Sequence, residues 1–333
     1  MLYKFSALSF CIAFVGAWLI ARYGSYAGLI DKPSNRSSHN TNIPKGGGVG
    51  ILVVFVFLCL ILDIMLFFWL PVFLLSFISF LGDRFELSAK FRLIIQFITA
   101  GIVLYSANDI SWIVVSIEGV DSNFINITGY FVILVFIVGT TNFYNFMDGI
   151  NGIAGITGII AFTCLGYVSL TKDMLEITIL LFGISSACLG FLFWNLPKAK
   201  VFMGDVSSIL LGFVFAICVV LLSNSLTEFI CYAGFILPFY ADELLTMIER
   251  IKHKYPLSQA HRRHLYQVLV NEGGFDHWIV SLGYGIIQLA ICVLLMSIEA
   301  KGHCFLIMII IAIFGLFASV NFCIKKKLTN QQI

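Results

Sequence analysis

The chain has 333 residues, of which 60% are hydrophobic and 11% are charged, and its formal net charge is +2. A soluble domain carries about 25% charged residues, so too few are present here for a polar shell, and the composition is that of a polytopic membrane protein. No long basic tail or arm is present, which argues against nucleic acid as a partner.

A span needs about 20 mainly apolar residues. In chain order, eleven stretches read as spans, at roughly 2–21, 46–66, 68–81, 91–107, 127–141, 152–170, 175–194, 206–223, 228–247, 277–297 and 303–323. The first lacks a small-residue cleavage site and is followed by further spans, so it reads as an anchor, not a removed signal. The third and fifth are short, and their polar C-terminal ends are expected in a cavity or at the interface. The expectation is an all-α polytopic integral membrane protein of about 11 transmembrane helices, forming one domain over 1–333. The apolar segment 111–120 reads as a small strand or interfacial patch outside the membrane.

Lys and Arg set the orientation. With Lys325, Lys326 and Lys327 on the cytoplasmic side, an odd number of crossings puts the N-terminus outside, in the periplasm. Seventeen basic residues then fall inside and only Lys4, Lys172 and Lys301 outside. Nine cysteines are scattered through mostly apolar runs, with no spacing that suggests a zinc site or a disulfide frame.

The same topology gathers five unusual stretches on the inner side: 31–50, 81–96, 142–155, 194–208 and 253–269. Three acids among them each have two readings. Asp83 follows an apolar run and precedes Arg84, either as an interfacial cap or as a site carboxylate. Asp148 in NFYNFMDGINGIAG and Asp205 in VFMGDVSS both precede spans, as helix caps or as functional rim carboxylates. Three such positions on one side make three unrelated caps less plausible. Hard oxygen ligands suit Mg²⁺ or Mn²⁺, and neither needs an all-protein cage. Lys90, Arg92, Lys198, Lys200, Arg262 and Arg263 surround the acids with positive charge, either for phosphate or as orientation charges at lipid headgroups. Gly46, Gly47, Gly48 and Gly50 bring a backbone near a phosphate or let helices pack closely. Gly149, Gly152 and Gly155 read as one small-residue stripe for close packing. His261 and His264 would share a helix face. His39 reads as a loop residue, and His253, His277 and His303 carry no functional signal. Asn195, beside Trp194, either binds a base edge or caps the chain.

Together these motifs resemble the polyprenyl-phosphate N-acetylhexosamine-1-phosphate transferases (glycosyltransferase family 4), nearer the O-antigen and common-antigen initiating enzymes than the peptidoglycan translocase. NFYNFMDGINGIAG carries the strongest match, followed by NLPKAKVFMGDVSSILLGF, AHRRHLYQ, LGDRFELSAKFRLIIQ and IPKGGGVGI. The resemblance implies transfer of a sugar-1-phosphate from a UDP-N-acetylhexosamine to undecaprenyl phosphate, with release of UMP. It implies an Mg²⁺ cofactor, with Mn²⁺ as a substitute, at the cytoplasmic face of the bacterial inner membrane. Related enzymes can be dimers, so a homodimer is also expected. The family commonly has paired aspartates where this chain has Gly82-Asp83, and often a second aspartate where it has Asn151; both changes remove negative charge.

By this resemblance Asp205 holds the cation across the diphosphate, with Asp148 assisting, and Asp83 places the lipid phosphate or takes its last proton. His261, Arg262, Arg263 and His264 steady the diphosphate or the departing charge. Lys90 and Arg92 guide either phosphate, while Asn145, Asn151 and Asn195 serve the nucleotide or sugar. Phe80, Phe91, Phe143 and Phe146 are candidates to line a prenyl groove. The alternative is a transporter or flippase of a phosphorylated envelope precursor, which would also bury polar groups; no internal repeat supports it.

Overall fold

The computed structural model describes residues 2–33, 38–39, 41–85, 87–106, 122–255 and 262–330. The segment 111–120 and His261 lie outside the described residues. Among those residues the chain is almost wholly helical, and ten helices are long and apolar enough to cross a membrane.

Helix α1 spans Leu2–Tyr23. Two short strands, β1 (Ile30–Asp31) and β2 (Ile43–Pro44), pair antiparallel, with Ile30 opposite Pro44. Helix α2, Val49–Ile61, has only 13 residues, so the second expected span is shorter than its apolar run. The glycines at 46–48 belong to a loop instead: Gly47 N donates to Phe202 O at 2.8 Å and Gly48 N to Met203 O at 3.0 Å. The amides of Gly47 and Gly48 are therefore used within the protein, which favours the packing reading of this glycine run.

Helix α3, Leu66–Phe85, runs past the expected end at 81 and carries Asp83 in its last turn. Helix α4, Ala89–Ser106, starts where Ser88 Oγ accepts from Phe91 N at 3.3 Å, an N-cap that fixes Arg92 near the helix start. Helix α5 is Ser122–Phe146, α6 Ile153–Thr171 and α7 Leu175–Asn195. Since α6 begins at Ile153, Gly149 and Gly152 precede it and form no helical stripe. Gly149 faces Tyr266, Gly152 Leu196 and Gly155 Leu192.

Helix α8, Asp205–Leu222, is apolar on all sides and is almost completely buried, as expected for a helix enclosed by others. It packs against α5, α3, α6, α2 and the next helix, and so forms the central post. The ninth expected span is interrupted: α9 (Leu226–Ala233) leads through a 3₁₀ turn at Gly234–Ile236 into α10 (Leu237–Lys252). Short α11 (Leu265–Asn271) precedes α12 (His277–Ile298) and the largely exposed α13 (His303–Asn330). Small residues bring the helix backbones close, as Gly190 does against Phe10 O of α1.

Candidate active site

The ends of α3, α5 and α7 and the starts of α6, α8 and α12 meet around a cavity of about 690 Å³, lined by Asp83, Asp148 and Asp205 together with Lys45, Asn145 and Asn151. That volume lies within the usual range for a small-molecule site.

Asp205 is the first residue of α8. Gly204 before it has φ +78, a left-handed conformation that glycine adopts without strain. A Cβ on Gly204 would fall 2.7 Å from both Asp83 Oδ2 and Gly46 N, so this turn also needs the missing side chain for space. Lys45 forms a parallel bridge with Phe202, and its Nζ lies 3.6 Å from Asp83 Oδ1. The early loop thus delivers a cation to the acid of α3.

Both oxygens of Asp205 have partners. Arg92 donates to Oδ2 at 2.5 Å and Asn145 donates to Oδ1 at 2.9 Å; Asn145 also donates to Ser208 Oγ at 2.8 Å. One turn beyond Arg92, Gln96 exchanges two side-chain bonds with Asn142, at 2.6 and 3.4 Å. This amide pair fastens α4 to α5 and so brings Arg92 and Asn145 to the same aspartate.

Asp148 follows the end of α5. Burial, then the charges of Asp205 and Asp83, push its pKa up to about 7. Three acids therefore converge with incomplete compensation, and Asp83 Oδ2 is buried without a hydrogen-bond partner. Among the described residues, no group of three or more His, Cys, Asp or Glu side chains forms a ready metal cage. Mg²⁺ does not need one, since one or two carboxylates plus substrate phosphates usually hold it. The mutual repulsion of the three acids fits a divalent cation of that kind.

The backbone after Asp148 is clamped. Asn151 N donates to His277 Nδ1 at 3.2 Å, and Ser281 Oγ donates to Asn151 O at 2.8 Å. Gly152 N donates to Asn195 Oδ1 at 2.5 Å, and Asn195 Nδ2 donates to Val201 O at 2.9 Å. Tyr144 Oη donates to Ala154 O at 2.7 Å. Asn195 is buried, lines the cavity and has its amide committed on both sides, so the contacts it makes within the protein are those of a clamp. Asn151 Nδ2 reaches Pro197 O at 3.4 Å, a donation an aspartate could not make.

Other expected residues lie elsewhere. Lys90 and Arg262 are exposed and do not line the cavity. Arg263 lies 3.5 Å from Glu249 and stacks over the Tyr255 ring at 4.3 Å. His264 is buried, with Nε2 3.4 Å from Glu243 and Nδ1 3.9 Å from Asp242. Those carboxylates favour its charged form, but burial first, then Lys325 and Arg250, lower its pKa to about 3. A neutral imidazole off the cavity wall brings no positive charge to the cavity in this arrangement, which lends no support to the expected role of His264. Of the proposed groove aromatics, Phe91 and Phe146 are exposed, while Phe143 meets the Tyr240 ring edge-on at 6.2 Å.

Sequence reasoning missed Lys45, His39 and His277 as cavity residues. Lys45 had a signal, as a lone cation between Pro44 and the glycines. His277 had none, because its role depends on where α12 begins.

The Glycosyl transferase family 4 profile matches residues 65–223, which include Asp83, Asp148 and Asp205. A Bacillus subtilis (strain 168) protein described as a probable undecaprenyl-phosphate N-acetylglucosaminyl 1-phosphate transferase is 28% identical over 321 residues, covering 93% of this chain and 89% of that protein. The undecaprenyl-phosphate alpha-N-acetylglucosaminyl 1-phosphate transferase of Escherichia coli (strain K12) is 29% identical over 203 residues, 56% of this chain and about half, 53%, of its own length. The phospho-N-acetylmuramoyl-pentapeptide-transferase of Prochlorococcus marinus (strain MIT 9301) is 29% identical over 264 residues, 74% of this chain and 73% of that one. None of these three supports the transporter alternative. The profile spans all three acidic segments and one relative aligns almost end to end, so the chain is similar to proteins of glycosyl transferase family 4.

Proposed function

We propose that the chain transfers an N-acetylhexosamine-1-phosphate from a UDP-sugar to undecaprenyl phosphate, giving undecaprenyl-diphospho-sugar and UMP, at the start of O-antigen or related envelope polysaccharide synthesis. The convergence of Asp83, Asp148, Asp205 and Lys45 in one cavity, with Arg92 paired to Asp205, carries this reading. The names of the relatives support the lipid acceptor. The distribution of Lys and Arg supports a cytoplasmic site, an external N-terminus and a cytoplasmic C-terminus in the bacterial inner membrane.

Two anions must meet here, and their repulsion needs compensation. Asp205 and Asp148 would hold Mg²⁺, or Mn²⁺ in its place. When bound, the cation withdraws charge from the diphosphate and from departing UMP. Asn145 orients Asp205 through Oδ1, and Arg92 is placed to turn from Oδ2 to a phosphate. Asp83 and Lys45 place the lipid phosphate. Its second pKa is near 6, so at neutral pH the attacking oxygen is mostly deprotonated and Asp83 acts chiefly by orientation. That oxygen attacks the phosphorus bonded to the sugar, and the bond from that phosphorus to the UMP oxygen breaks in one direct displacement. Nothing in this chemistry requires two subunits, and the expected homodimer is a proposal from family resemblance alone.

Protons and the cation compete for Asp148. Its raised pKa, about 7, means that the carboxylate is protonated below neutrality. Mn²⁺ binding in the absence of substrates, followed by electron paramagnetic resonance, should weaken roughly tenfold per pH unit below 7 and level off above it. Binding that is flat between pH 5 and 7 would contradict the assignment. The reaction itself is tested with purified chain in nanodiscs containing undecaprenyl phosphate, supplied with Mg²⁺ and a panel of UDP-N-acetylhexosamines. At least one donor should yield UMP and lipid-linked sugar in equal amounts; no donor doing so rejects the proposal.

A further inference from the structure

Asp148 is followed by a glycine and preceded by the last turn of α5. The clamps from His277, Ser281, Asn195 and Tyr144 all act at residues 151–154, beyond the aspartate. On its near side, Tyr266 of α11 donates its hydroxyl to Phe146 O at 3.1 Å. Phe146 ends α5, and its carbonyl is one that a helix leaves without an internal partner. The same Tyr266 ring closes over Gly149, where a Cβ would meet Cε2 and Cζ at 3.0 Å. Tyr266 therefore touches the backbone on both sides of Asp148.

Tyr266 is itself fixed. It is fully buried. Its amide and that of Leu265 donate to the two oxygens of Asp242, at 3.4 and 2.8 Å, and Tyr284 donates its hydroxyl to Asp242 at 2.7 Å. The Tyr284 ring meets Tyr266 at a right angle with centroids 6.4 Å apart, and His264 stacks on Tyr266 at 5.4 Å. A buried tyrosine needs some acceptor for its hydroxyl, and any free carbonyl would serve a purely packing role. Contact with both flanks of one site carboxylate goes further than packing requires.

We infer that Tyr266, set in place by Asp242, is a positioning residue for Asp148. The inference rests on the reading of Asp148 as part of the active site. It also gives the segment 262–266, which leads into α11, a role that does not require His264 to touch substrate.

Tyr266→Phe keeps the ring and removes only the hydroxyl. In the full chain in nanodiscs, hydrogen exchange at residues 146–152 should accelerate about fivefold, as expected for loss of roughly one hydrogen bond, while α7 and α8 stay unchanged. Turnover should fall about tenfold, with KM for undecaprenyl phosphate within about twofold of the parent, because misplacing a reacting group acts on kcat. Tyr284→Phe, which loosens Asp242 but leaves Tyr266 intact, should change both readouts in the same direction by a smaller factor. Unchanged exchange at 146–152 in Tyr266→Phe overturns the inference, and so does faster exchange with unchanged kcat. If the parent chain transfers no sugar phosphate, the proposed reaction falls, and the exchange comparison alone decides whether Tyr266 positions this segment.

Discussion

Asp205→Asn should reduce UMP release by roughly 10³-fold or more, the scale of removing a principal electrostatic group from an active site. The substitution is nearly isosteric. Its Oδ1 can still accept from Asn145, and the buried body of α8 is untouched. The charge that Arg92 now meets at 2.5 Å is lost, together with the proposed anionic hold on the cation. The folding cost should be small by comparison: a first-turn acid contributes about 0.3–1 kcal/mol through the helix dipole. A well-folded Asp205→Asn protein with normal cation-dependent turnover would show that the centre of the site lies elsewhere.

Asn195→Ala should destabilise the chain by about 2–4 kcal/mol and reduce turnover with it. The side chain is buried and joins two motifs: it accepts from Gly152 N and donates to Val201 O. Truncation leaves both backbone groups without these partners, and each such loss costs about 1–3 kcal/mol. Asn195→Asp should also fail, because a carboxylate cannot donate to Val201 O. Thermal unfolding in detergent, followed by tryptophan fluorescence, separates this from a substrate-contact role. A contact residue would raise KM and leave the midpoint in place; the clamp predicts a lower midpoint even without substrate.

Hydropathy made the helical spans legible because lipid imposes a length and a composition on each of them. It misjudged their ends where polar residues continue a helix. Gly82, Asp83 and Arg84 look like the start of a loop, yet α3 runs to Phe85 and keeps Asp83 in its last turn beside Lys45. The reverse happened at Gly234–Ile236, where an unbroken apolar run conceals the change from α9 to α10.

The acids of the site were legible as three rare charges next to spans. Their partners were not. Arg92 meets Asp205 across 113 positions of sequence, and Asn195 meets Gly152 across 43. No local pattern specifies such a pair; it follows from how α4, α7 and α8 pack. Burial was equally hidden at His264, whose charged neighbours in the sequence suggest an exposed loop while the ring lies inside, stacked on Tyr266.

The most direct measurement is a structure of the chain with Mn²⁺ and a UDP-N-acetylhexosamine, located by anomalous scattering. The account predicts one Mn²⁺ peak about 2.0–2.2 Å from a carboxylate oxygen of Asp205, with Asp148 in direct or water-mediated contact and the donor diphosphate on its far side, as for a hard divalent ion shared between carboxylates and phosphates. A peak held by other residues, or a diphosphate bound away from these aspartates, would contradict it.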